Sequence, residues 1–120
     1  NYLEGVSAVQ LLLIVLNRVE KLDDLLDGLL KHGISGATII SSTGLMKELA
    51  KNIEDYPAFG TLRYLIDFGR EENKTIFIVL EEEQIETAKR VVREVIGDLF
   101  KPDTAIMFTL PVLSAEGIGF

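Results

Sequence analysis

Gly33-Ile34-Ser35-Gly36-Ala37-Thr38-Ile39-Ile40-Ser41-Ser42-Thr43-Gly44 holds a helix end, a strand and a polar exit within twelve residues. Lys31 and His32 precede Gly33. A cationic last turn suits the negative end of a helix dipole, and glycine takes the left-handed conformation after the last turn without a Cβ clash, so a helix is expected to stop there. Ala37 to Ile40 reads as a short, largely buried strand. Ser41-Ser42-Thr43-Gly44 then offers hydroxyls and bare backbone, chemistry that grips a small anion.

Upstream of this stretch, Leu22, Leu25, Leu26, Leu29 and Leu30 recur at helical spacing, with Asp23, Asp24, Asp27 and Lys31 on the other side. This predicts an amphipathic helix from about Glu20 to His32. Asp23 and Asp24 fall in its first turn, where carboxylates complement the dipole. Before it, Leu11 to Leu16 is a continuous apolar run of strand length, the pattern of a central strand buried on both faces. Thr75 to Leu80 repeats that pattern. Glu81-Glu82-Glu83 leads from it into a helix carrying Ile85, Ala88, Val92, Val95 and Leu99 on one side, ended by Gly97 and Pro102; Ala105 to Leu110 is a last strand closed by Pro111.

Leu11 to Ile40 and Ile76 to Leu110 are thus two strand–helix–strand units. Two such units in one short chain predict an α+β fold, the ferredoxin-like βαββαβ sandwich: an antiparallel sheet with both helices on one face. Between the halves, Leu45 to Lys74 is long for a connection. Leu45, Met46, Leu49 and Ile53 have helical spacing, as do Leu62, Leu65 and Ile66, so this insertion is expected to be partly helical. Two helices cover one sheet face only, yet both central strands are apolar throughout; the second face therefore predicts a homo-oligomer.

The 120 residues, 48% of them apolar, are expected to form a single domain with its own core. With no cysteine, neither a disulfide framework nor a thiolate metal site is possible, which suits a reducing, cytoplasmic setting. A net charge of -7 argues against nucleic acid as a partner. The apolar run at Leu11 to Leu16 is far short of the roughly 20 residues that cross a bilayer, and no basic region precedes an apolar core in Asn1 to Gln10. Neither membrane insertion nor a signal peptide is expected. No enzyme constellation stands out: the one histidine has no identifiable partner, and a phosphate-loop signature is lacking.

Lys21-Leu22-Asp23-Asp24-Leu25, the Gly33-to-Thr38 run and the strand exit at Gly44 resemble the opening half of the PII-like signalling proteins. Ile76-Phe77-Ile78-Val79-Leu80-Glu81-Glu82-Glu83-Gln84 and the helix after it are similar to the second half. The resemblance implies a homotrimer whose sheets line the inside. It also implies small effectors, adenine nucleotides or cyclic nucleotides among them, bound in clefts between subunits and controlling a partner such as a membrane transporter. Thr38 and Gly44 coincide with ligand-contacting positions of the family and Lys47 with a basic one. Together with Ser42, Thr43, Gly60 and Arg63 they form the candidate ligand set. No cofactor is expected. The chain departs from the family in Gly97 to Thr104, where a glycine-rich phosphate loop with a lysine would stand, and after Pro111, where arginines would stand. The alternative is a structural or metal-tolerance trimer of the related CutA type without nucleotide binding.

Overall fold

In a computed structural model, residues 9–50 and 72–119 are described. Four strands form one sheet in the order β2-β3-β1-β4, where β1 is Val9–Leu16, β2 Ala37–Ser42, β3 Asn73–Glu81 and β4 Ala105–Pro111. Every neighbouring pair is antiparallel. Helix α1 (Leu22–Lys31) joins β1 to β2 after a short 3-10 turn at Val19–Lys21, and α3 (Glu82–Ile96) joins β3 to β4. This is the expected ferredoxin-like sandwich. Helix α2 (Leu45–Ala50) follows β2 directly and bears out the helical spacing of Leu45, Met46 and Leu49; the calls on Ile53, Leu62, Leu65 and Ile66 lie outside the described residues.

The apolar runs become strands that are buried by alternation. Leu12, Ile14 and Leu16 of β1 and Ile76 and Ile78 of β3 have no exposed surface, whereas Leu11, Leu13, Val15, Phe77 and Val79 are half-buried. The first set faces the helices because side chains alternate along a strand. Within one chain, burial on both faces of β1 is therefore not met; the second face is covered only in part. Across it run Leu11 opposite Val79, Leu13 opposite Phe77 and Phe108, and Leu11 opposite Leu110. Phe108 and Leu110 at the β4 edge remain 45% and 44% exposed.

On the covered face, Leu25 and Leu29 of α1 and Ile85, Ala88, Val91, Val92 and Ile96 of α3 complete the core. Each fully buried Leu, Ile or Val side chain contributes about 1.5–3 kcal/mol. Leu30, at the margin of the predicted apolar stripe, instead points outward and is 61% exposed.

Helix α1 ends as its sequence dictates. Gly33, at φ 77°, donates from its N–H to the Leu30 carbonyl (3.0 Å), and Ile34 N–H reaches the Leu29 carbonyl (3.0 Å), while the buried Ile34 side chain turns into the core. This paired-bond termination satisfies two carbonyls that would otherwise be bare. Helix α3 opens on a reciprocal cap: the Glu81 side chain accepts from the Gln84 backbone, and the Gln84 side chain accepts from Glu81 N–H. Its far end is held by Arg18, whose Nη1 donates to the Ile96 carbonyl at 2.9 Å.

The two helices pack against each other at Gly28, where a Cβ would stand 2.8 Å from Val91 Cγ1. Valine has little rotamer freedom within a helix, so it cannot easily yield. Gly28→Leu should therefore lower stability by about 1–3 kcal/mol despite leucine's better helix propensity. Urea unfolding measures this directly; Val91→Ala in the same chain should recover part of the loss, and an unchanged midpoint for the single variant would contradict the close approach.

Candidate functional site

The strand β2 is an edge strand, so Ala37 to Ile40, expected to be largely buried, is instead exposed at Thr38, Ile39 and Ile40; candidate residues sit at its two ends. Thr38, Ile40 and Ser42 face away from the helices, opposite Phe77, Thr75 and Asn73 of β3. At a rise of about 3.3 Å per residue, Thr38 and Ser42 stand roughly 13 Å apart. They therefore belong to two different surroundings.

At the entry of β2 lies an open cleft of about 700 Å³. Its walls are the Gly33-to-Thr38 connection, β3 from Phe77 to Glu81, Gln84 of the α3 cap, and Gly117-Ile118-Gly119. Thr38 is exposed at its rim, and Gly36 leaves open space where a side chain would stand. Among the described residues no Lys, Arg or His lines the cleft, and the one carboxylate there, Glu81, is engaged in the helix cap. Such a lining suits an uncharged group rather than an anion.

At the exit of β2 the chemistry is polar. The Ser42 hydroxyl donates to Asn73 Oδ1, and Thr75 Oγ1 lies 2.7 Å from Ser42 Oγ. Since a hydroxyl has one proton, Ser42 accepts from Thr75 once its own proton is given to Asn73. Asn73 Nδ2 in turn donates to Asn17 Oδ1 at 3.2 Å, and Asn17 N–H donates to the Thr104 carbonyl at 2.9 Å. A row of hydrogen bonds thus crosses β2, β3 and β1 on the partly covered face. It explains how Asn73, only 5% exposed, is tolerated in the sheet. The Ser42 proton is thereby used inside the protein. Lys74 extends this edge, with Nζ 2.7 Å from Ser41 Oγ and 3.1 Å from Glu72 Oε1.

Beyond Ser42 the chain passes through the exposed Thr43 to Gly44, whose carbonyl accepts from Glu48 N–H at 2.9 Å and so opens α2. One turn on, Lys47 Nζ is buried and has no hydrogen-bond partner among the described residues. A buried polar nitrogen is more stable with an acceptor beside it, so this position favours a polar or anionic neighbour. Gly60 and Arg63 lie outside the described residues, so their place relative to Lys47 is not part of this geometry. Among the described residues no group of three or more His, Cys, Asp or Glu could hold a metal ion, and no helix is long and apolar enough to cross a membrane.

The sequence pointed to the β2 exit and to Thr38, but not to the cleft at the β2 entry. Its walls are mostly backbone, a helix cap and a segment from after β4, none of which carries a motif. Asn73, read as the tail of a loop, is the centre of the polar row. Its removal should take one side-chain partner from Ser42 and one from Asn17: Asn73→Ala is expected to cost about 1–3 kcal/mol in urea unfolding. A variant as stable as the parent would show that the row contributes nothing.

No family profile matches the sequence, and no curated protein matches it. Solved structures do resemble the fold. A functionally unknown protein from Pediococcus pentosaceus superposes with a TM-score of 0.63 at 18% identity, over 94% of this chain and 100% of that one. Arabidopsis thaliana PII bound to citrate superposes with a TM-score of 0.59 at 19% identity, over 91% of this chain and 81% of that one. At these identities the likeness is one of fold: the chain shares the architecture of PII.

Proposed function

We propose that this protein is a small-molecule-sensing regulator of the PII-like type, acting by binding rather than by catalysis. The observation that carries the reading is the buried Nζ of Lys47, which has no hydrogen-bond partner among the described residues, directly behind the β2 exit. An anionic effector supplies an acceptor for it. In this reading Thr43 and Gly44, which precede Lys47 at the start of α2, add a hydroxyl and a backbone N–H, and a charge-assisted contact of this kind is stronger than a neutral one. The fold likeness to a PII protein with citrate bound supports an anionic ligand on this scaffold.

The cleft at the other end of β2 complements this cation. It is uncharged apart from the capped Glu81, and Phe77 and Val79 offer apolar surface to a flat group. An effector with a heterocycle in the cleft and phosphates reaching toward Lys47 fits both ends, which is the form of an adenine nucleotide or a cyclic dinucleotide. The half-covered sheet face, with Leu13, Phe77 and Phe108 side by side, supports a homotrimer in which copies meet through their sheets and effectors sit at clefts between them. Effector state would then pass to a regulated partner, such as a membrane transporter, through the segment that begins with α2. A ligand transmits a state only by binding one conformation better than another.

A thermal-shift screen with ATP, ADP, cyclic AMP, cyclic di-AMP, citrate and divalent metals tests this reading. A ligand at 100 times its dissociation constant should stabilise the fold by about 2.7 kcal/mol. Lys47→Ala should weaken the active ligand by roughly 10- to 100-fold, as expected for loss of a charged hydrogen bond. Unchanged affinity would remove Lys47 from the site, and no shift from any nucleotide or carboxylate would favour the CutA-type structural trimer.

A further inference from the structure

The segment after β4 has an arrangement that the rest of the chain does not explain. It leaves the sheet at Pro111, makes one backbone bond, from Val112 N–H to the Val9 carbonyl (3.2 Å), and then runs through 113–119 without regular structure. No hydrogen bond or ion pair holds 113–119 to the described residues, and all seven are exposed, Leu113 to 94%. Yet Gly117, Ile118 and Gly119 form a wall of the 700 Å³ cleft, on the far side of the sheet from the β4 edge where the segment starts.

A wall made only of van der Waals contacts opens easily, because local opening free energy follows the buried and bonded groups that must be given up. Gly117, at φ 80°, and Gly119 also let this stretch change direction without side-chain penalty. The N–H groups of residues 117 to 119 have no partner among the described residues, and Ile118 is 42% exposed beside the cleft. Anything filling the cleft would meet both.

We propose that 113–119 is a strap that closes against an effector seated in the cleft and sets how fast it leaves. This rests on the reading of the cleft as the effector's seat. Free, the strap exchanges between the cleft and solvent; with the cleft filled, apolar contact from Ile118 and the unpaired backbone groups hold it shut. Its effect is on dissociation, since an open strap does not obstruct entry.

The protein has no cysteine, so Ile118→Cys accepts a single nitroxide label. In the free protein the label should broaden the amide signals of Gly36, Thr38 and Gln84 and spare that of Asp98, beyond the far end of α3. Absent or uniform broadening would overturn the strap. In the second arm, a chain ending at Val112 and the full chain are compared with ATP and with cyclic di-AMP. Dissociation from the shortened chain should be about tenfold faster at a similar association rate. Equal dissociation rates would overturn the proposal. If neither nucleotide binds either chain, the nucleotide reading fails, and the label alone decides: confined broadening upholds the closing segment and absent or uniform broadening rejects it.

Discussion

The pairing of β1 with β3 is the constraint on which the rest of the molecule depends. Strand β1 is apolar except at Gln10 and β3 is apolar from Ile76 to Leu80, and their antiparallel register sets Leu12 against Ile78 and Ile14 against Ile76 on the helix side. These four side chains are fully buried, so a one-residue slip would turn the whole set to the other face. The helices then have one surface on which to pack. Their mutual distance is set by Gly28 against Val91, and their ends are fixed by Gly33, by the Glu81–Gln84 cap and by Arg18 on the Ile96 carbonyl.

The same pairing creates the surface left over. Leu13, Phe77 and Phe108 form an apolar row on the face without helices, and toward one end of the strands this gives way to the polar row of Ser42, Asn73 and Asn17. A buried hydrogen-bonded row fixes register where apolar packing alone is permissive. It also anchors the point where β2 hands over to α2 and to Lys47. The rigid part of the candidate site is thus an extension of the sheet. The strap of 113–119, at the opposite end of β2, has no such anchor.

Much of this was legible in the chain. The Leu22-to-Leu29 spacing and Gly33 located α1, and the duplicated strand–helix–strand pattern led to the sandwich, because hydrophobic periodicity and helix ends are local signals. Strand limits were less legible: Asn73 and Lys74 are polar and looked like loop, since the Ser42 and Asn17 bonds that make Asn73 acceptable come from distant positions. A continuous apolar run likewise does not say which face of β1 a second layer covers. Thr38 and Ser42 looked like one site because four residues separate them, but an extended strand carries them to opposite ends. The cleft was invisible for the same reason as the polar row: it is assembled from stretches far apart in sequence, mostly through backbone. Lys47 was legible as a cation, but not as one whose nitrogen is buried without a hydrogen-bond partner among the described residues.

The central claim is that the sheet face without helices is the place where copies of this chain meet, bringing effector clefts together between them. Sedimentation velocity at micromolar concentration tests it most directly. A trimer of the 13.3 kDa chain predicts a single species of about 40 kDa. Replacing Phe108 by Lys, which places a charge on that face, should shift it to smaller species. A monodisperse 13.3 kDa monomer of the unmodified chain would contradict the account.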